Sequence, residues 1–324
     1  MGTILKGATL VEFEPATVEV ADLRIEASHI VARGPDLTAH EGDEVISFAG
    51  KVVMPGLVSA RHQLYATLAR GMPVPAMPSE DFEALQKATW WRLQQALDLD
   101  AVQAAAAAGA LEALCAGTTT VLEQHASPNA IDGSLMRVAR GINDVGLRAG
   151  VSYEVSDRHG AVSREEGLAE NVSFAKKARG RFRGLIGAHA SFTLSRDALE
   201  GLREAMLATG VGLQLSLAED PIDERLSVER YGEVPLSRLQ QHELLTPSTL
   251  VAHAVHLSWP ELSQVISSGA WIVHLPRANM NATVGYAPAG KFGARAALGT
   301  AGEGGDLFAE LQTAMLRSRD AGQP

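Results

Sequence analysis

A (β/α)8 barrel preceded by a small sheet is the fold class this sequence predicts, and three observations predict it. From Val52 onward, eight short apolar runs alternate with segments of helical spacing. Polar groups gather just after those runs, at the carboxyl ends of strands where a barrel carries its chemistry. No Gly-rich phosphate loop follows any run, which disfavours an open, doubly wound sheet.

Residues 1–54 contain the alternating stretches "TILKGATLVEF", "ATVEVADLRIEASHIVARG" and "DEVISFAGKVVM", punctuated by Gly and Pro, and predict a small antiparallel sheet. Barrel strands are expected at 52–59, 118–124, 147–155, 184–190, 211–218, 249–254, 270–275 and 296–300. Helices are expected between them, among others in "DFEALQKATWWRLQQAL" (81–97), "DAVQAAAAAGALEALCAG" (100–117), "GLAENVSFAKKA" (167–178), "SRDALEGLREAMLATG" (195–210) and "WPELSQVISSG" (259–269). Several of these close on a Gly placed as a helix C-cap. The expected division is 1–54 for the sheet and 55–324 for the barrel.

The 324 residues are 46% hydrophobic and 20% charged, the composition of a soluble globular chain with a large core. A net charge of -10 argues against nucleic acid, whose binding depends on Lys and Arg neutralising phosphates. Cys115 is the only cysteine, which excludes an internal disulfide and a Cys-rich zinc site; it is expected to be buried in its Ala-rich helix. No basic segment followed by an apolar one opens the chain, and the weakly polar run 101–122 carries Glu112. No membrane span is expected, and the expected location is cytoplasmic.

The strand-end residues are Ala60-Arg61-His62-Gln63, Glu123-Gln124-His125, Glu154, His189, Ser216 to Glu219, His253, His274 and Thr300-Ala301. One polar residue after a strand is ordinary loop chemistry. Histidines at several strand ends point to an inherited active site.

The segments "VVMPGLV", "WWRLQQALD", "GTTTVLEQHASPNAIDGSL", "GLRAGVSYEVSDR", "IGAHASFTLS", "LAED", "LVAHAVHLS", "RANMNATVGY" and "LGTAGEGGDLFAELQ" resemble the amidohydrolase superfamily. Within it they are most similar to the cytosine-deaminase-like and SsnA-type aminohydrolases. The resemblance runs the length of the chain. It implies an N-terminal half of a small β-sandwich, a metal-dependent barrel, and hydrolysis of a C–N bond in an N-heterocycle.

It also implies where a divalent metal such as zinc would be held: two His on the first strand, one on the fifth and an Asp on the eighth. These positions are occupied by Arg61, Gln63, Ser216 and Ala301, so all four ligands are replaced and no metal is expected. Arg is always protonated and repels a cation. By the same resemblance, Glu219 matches the proton-shuttling carboxylate and His253 the histidine that polarises the group attacked, either of which could persist as a relic. Gln124, His125 and His189 match pocket-lining positions, and Arg277, Asn279 and Asn281 lie in a loop that either contacts substrate or braces itself. Family members continue well beyond the "LFAELQ" helix and thereby complete the sandwich.

Three readings of function follow. In the first, the chain is a non-catalytic binding or structural subunit, a homo- or hetero-oligomer beside an active paralogue, with a small heterocyclic ligand. In the second, it is an active aminohydrolase of purine-like rings with a non-standard or partner-supplied metal, built for example from His62, His125, His189 and His253. In the third, Arg61 supplies the charge of the lost cation and binds an anionic heterocycle such as urate.

Overall fold

The computed structural model describes residues 2–73 and 82–322, in two compact units, 1–56 and 57–324. In the first unit, β1 (Gly2–Phe13), β2 (Ala16–Glu26) and β3 (His29–Gly34) form an antiparallel meander. The other edge of β1 takes β4 (Glu44–Ser47) and β5 (Val52–Val53) in parallel. The sheet is therefore mixed rather than antiparallel, because residues 35–43 carry the chain back before it pairs again. Ala8, Leu10, Ala21 and Leu23 form its small core. Asp22 ties the sheet together, accepting from the Gly7 and Leu37 amides and pairing with Lys6 at 2.8 Å. Val18 and Val20 of β2 and Ile30 and Val31 of β3 are exposed.

The second unit is a (β/α)8 barrel. Its strands are β6 (Leu57–His62), β7 (Thr118–His125), β8 (Arg148–Val155), β9 (Phe182–Gly184), β10 (Ile186–Ala188), β11 (Leu213–Leu217), β12 (Leu250–His253), β13 (Trp271–His274) and β14 (Ala296–Leu298). Eight of them pair in parallel in the order β6-β7-β8-β10-β11-β12-β13-β14, with β9 a short addition beside β8. A parallel bridge between His62 and Ala301 closes the ring, and the Gln63 amide donates to the Ala301 carbonyl at 3.0 Å. The expected strand 52–59 is two strands. Pro55-Gly56 interrupts it, so Val52-Val53 stays with the first unit and the barrel starts at Leu57.

The helices on the outside follow the predicted spacing. Leu99–Cys115 is capped by the Asp98 side chain, Arg196–Thr209 by Ser195, and Trp259–Ser267 by a Ser258/Glu261 capping box. Helix Ser134–Val145 lies against Leu99–Cys115 so closely that a Cβ on Gly141 would stand 2.4 Å from the Gln103 carbonyl oxygen. The stretch 82–97 forms two helices, Phe82–Ala88 and Trp90–Ala96, broken where the Thr89 hydroxyl bonds back to the Leu85 carbonyl at 2.6 Å. Asp81, read as the start of that helix, lies outside the described residues. Cys115 is exposed, because its helix ends there on the face turned to solvent. No described helix is long and apolar enough to cross a membrane.

Apolar side chains such as Leu202, Leu213, Leu215, Val251, Leu262 and Ile272 fill the space between strands and helices. Inside the ring the packing is partly polar: the Gln214 amide donates to the Glu123 carbonyl at 2.8 Å and to Ser152 Oγ at 2.6 Å. These bonds offset part of the cost of burying the Gln214 amide, whose Oε1 has no partner among the described residues.

Candidate functional site

At the carboxyl ends of the strands the barrel opens into a cavity of about 360 Å3. Arg61, Gln63, Glu154, His189, Ser216, Glu219, His253 and Ala301 line it, with Trp90, Trp91 and Gln94 from the helix Trp90–Ala96, Asn281 from the helix Pro276–Asn281, and Glu303. Alternation along β6 directs Arg61 inward, at only 3% exposure. Its two terminal nitrogens donate to Gln124 Oε1 and, at 3.3 Å, to Ser216 Oγ.

From Arg61 a continuous network runs around the wall. Gln124 passes its amide N–H to Glu154 Oε2 at 2.9 Å, and Glu154 Oε1 meets Arg158 at 2.6 Å. Arg158 also donates to Gln94 Oε1 at 3.2 Å, and its guanidinium lies 4.8 Å from the Trp91 ring centroid. Gln94 donates in turn to the Tyr65 hydroxyl at 2.9 Å. Burial would raise the Glu154 carboxyl, but the His189, Arg158 and Arg61 side chains and the Gln124 hydrogen bond together hold it below the usual carboxylate range.

Opposite this network stands a second pair. His253 Nδ1 lies 2.8 Å from Asn279 Oδ1, which fixes Nδ1 as the donor and turns Nε2 toward Glu219 Oε2 at 3.4 Å. Burial pushes the Glu219 carboxyl up to about 8, against the opposing charge of Arg61, and pushes the His253 imidazole down to about 3. Both are neutral near pH 7. Glu219 makes no ion pair with Arg61; its near neighbour is His253.

The remaining residues singled out from sequence take varied places. His189 lines the cavity, bonded to Thr193 Oγ1 at 3.0 Å and set edge-on to Trp91 and Phe192. Gln124, His125 and Asn279 are buried one layer back and are not among the lining residues. His125 meets Ser127 Oγ at 2.9 Å between the rings of Tyr65 and Tyr153. Asn281 lines the cavity and donates to Glu303 at 2.9 Å, whereas Arg277 braces the loop through the Glu303 carbonyl and Glu310. His62 faces the barrel closure, with Nδ1 2.8 Å from both the Ala301 carbonyl and Thr300 Oγ1. Arg158, Gln94, Tyr65 and the Trp90-Trp91 wall were not singled out, since only the folded chain brings them to Glu154.

Four non-glycine residues at these strand ends have left-handed backbone: Ala218 (φ 51°), His253 (φ 75°), Ala254 (φ 51°) and Ala301 (φ 45°). Such conformations persist where surrounding structure imposes them. Ala301 gains nothing from its φ, while an Asp there would offset the cost by local hydrogen bonding.

The donor set does not fit a divalent metal. At the four positions where the resemblance expects three His and an Asp, a guanidinium, an amide, a hydroxyl and a methyl group face the cavity. Among the described residues no group of three or more His, Cys, Asp or Glu is arranged to hold a metal ion. His62, His125, His189 and His253 do not form such a group.

The burial of so many titratable groups sets the pH dependence of stability. Burial holds His125, His189 and His253 down to about 3, and His62 and His274 to about 4. Each imidazole is protonated in the unfolded chain below about pH 6.5, so the stability it contributes is lost as pH falls from there toward its folded pKa. Burial raises Glu123 and Glu219 to about 8, Glu310 to about 7 and Asp223 to about 6. Their contribution is complete below the ordinary carboxylate range and is lost as pH rises through those folded values. Above about pH 6.5 only the carboxyl slope remains. The melting temperature is therefore expected to fall between about pH 6.5 and 8.5, and to fall less in Glu123→Gln. A melting temperature that rises over that range would contradict the assignment.

Comparison with known proteins places this geometry. The amidohydrolase family model matches residues 52–323. The chain is 30% identical over 302 residues to a 5-methylthioadenosine/S-adenosylhomocysteine deaminase of Shouchella clausii, covering 88% of this chain and 66% of that protein. It thus spans about two thirds of that relative's length. An adenosine deaminase from Xanthomonas campestris with bound zinc superposes with a TM-score of 0.87 at 23% identity, over 99% of this chain and 75% of its own. A guanine deaminase from C. acetobutylicum with bound guanine superposes at 0.85 and 16% identity, over 100% and 81%. These two likenesses are of fold.

Proposed function

The chain belongs to the amidohydrolase family, and from that premise we propose that it is a non-catalytic member that binds a small, purine-like heterocycle. One observation carries the reading: the Arg61 guanidinium bonds Ser216 and Gln124 at the point where the ligands of a metal would converge. An arginine there does not give up its proton and does not generate a metal-bound nucleophile. The cavity still lies within the size range of small-molecule sites, and two indole rings face it. A relative named as a 5-methylthioadenosine/S-adenosylhomocysteine deaminase supplies the ligand class.

The same reading takes the chain as a cytoplasmic subunit, associated with itself or with an active paralogue. The exposed Val18, Val20, Ile30 and Val31 of the N-terminal sheet support association.

The test is metal content by mass spectrometry after incubation with zinc, iron or manganese and desalting, together with ammonia release from adenosine, 5-methylthioadenosine and guanine. Substoichiometric metal and no ammonia are expected, with a thermal shift from at least one heterocycle. Stoichiometric metal with ammonia release would overturn the proposal and favour the second reading, an active aminohydrolase, for which the retained Glu219–His253 pair is the supporting observation.

A further inference from the structure

We infer that the ligand of this cavity is a planar heterocyclic anion whose carboxylate, or deprotonated ring edge, pairs with Arg61. The inference rests on the binding reading above and narrows it to a charge class.

Arg61 is a buried cation whose direct partners are neutral. The hydrogen bonds of its side chain go to an amide oxygen and a hydroxyl, and no carboxylate stands within ion-pair distance among the described residues. Glu154, Glu219 and Glu123 act on it only through space. Arg158, in the same network, is placed differently: it meets the Glu154 carboxylate directly at 2.6 Å, so the carboxylate with the strongest through-space effect on Arg61 already has a direct cation. A desolvated charge without a counter-ion is costly, and a guanidinium offers its planar edge to carboxylates and to their ring analogues. Each terminal nitrogen of Arg61 carries a second hydrogen beyond the one given to Gln124 or Ser216, and the residue lines the cavity.

The rest of the lining suits such an anion. Of the two carboxyl groups that line the cavity and act on Arg61, Glu154 is paired with Arg158 and Glu219 is pushed up to about 8 by burial, so neither sets an uncompensated negative charge beside Arg61. Trp90 and Trp91 provide flat apolar surface for a ring. Glu303, which accepts from Asn281, also lines the cavity and favours a ligand that carries N–H groups beside its anionic edge.

The experiment is isothermal titration of the full chain near neutral pH with four probes: urate and orotate, which are anions, and hypoxanthine and uracil, their neutral ring counterparts. The anions are expected to bind at least about tenfold more tightly than the neutral rings, a preference that Arg61→Met removes and Arg61→Lys keeps in part. Neutral rings that bind as well as the anions to the wild type would overturn the anion inference and leave the binding function standing. If no probe of either charge bound, both would fall. Should Arg61→Met not fold, the wild-type ratio and the Arg61→Lys value decide the question alone.

Discussion

Placing metal ligands at all four positions at once, by Arg61→His, Gln63→His, Ser216→His and Ala301→Asp, is expected to give a protein that holds a zinc ion in every chain. The four positions line one cavity, and the present contact of Arg61 with Ser216 at 3.3 Å shows that side chains from β6 and β11 reach a common point. Ala301 is locked to β6 through its bridge with His62 and already has the left-handed φ that an Asp tolerates better than an Ala. Three imidazoles and a carboxylate make a good zinc donor set, and the replaced guanidinium no longer repels the cation. Bound zinc stabilises the folded state by mass action, about 4 kcal/mol at a thousandfold excess over Kd. The melting temperature of the fourfold variant should accordingly rise with zinc and drop with a chelator, while that of the wild type responds to neither. Metal per chain after desalting is the deciding measurement. A folded fourfold variant that retained no zinc would mean that the strand ends have moved apart and that the frame, not only its ligands, has been lost.

How much of this was legible in the sequence depends on the range of the interaction. The barrel was legible because each strand and helix carries its own periodicity, and seven of the eight strand positions lie where the apolar runs put them. The first was misplaced because "KVVMPGLV" reads as one apolar run, although a Pro-Gly step hands its two halves to different sheets. The positions of Arg61, Gln63, Ser216 and Ala301 were legible because the surrounding motifs set them, and all four line one cavity. What Arg61 does was not, since its partners come from β7 and β11, and neither was the approach of Glu219 to His253. Glu154 could be placed at a strand end from sequence, but nothing local marks Arg158, four residues on, as its counter-ion.

That pair carries the second large effect. Arg158→Met would leave the Glu154 carboxylate, whose side chain is 2% exposed, without its direct cation. Removing one partner of a buried pair costs about 3–5 kcal/mol, roughly 10 °C of melting temperature in a chain of this size. The loss of the guanidinium from the Trp91 face adds about 0.5–2 kcal/mol. Glu154→Gln together with Arg158→Met removes the buried charge as well as its partner and should recover much of the loss, because a neutral amide can still accept from Gln124. The two substitutions are therefore expected to be strongly non-additive, with a coupling energy of about 1–3 kcal/mol in a double-mutant cycle. The cycle also reads the Arg61 side of the wall. If Gln124 transmits the field of Arg61 to Glu154, then in the Arg158→Met background Arg61 becomes the nearest compensating charge, and Arg61→Met should cost more stability there than in the wild type. Additive melting temperatures would instead divide the wall into independent contacts and remove the argument that Arg158, by holding Glu154, keeps Arg61 free for a ligand.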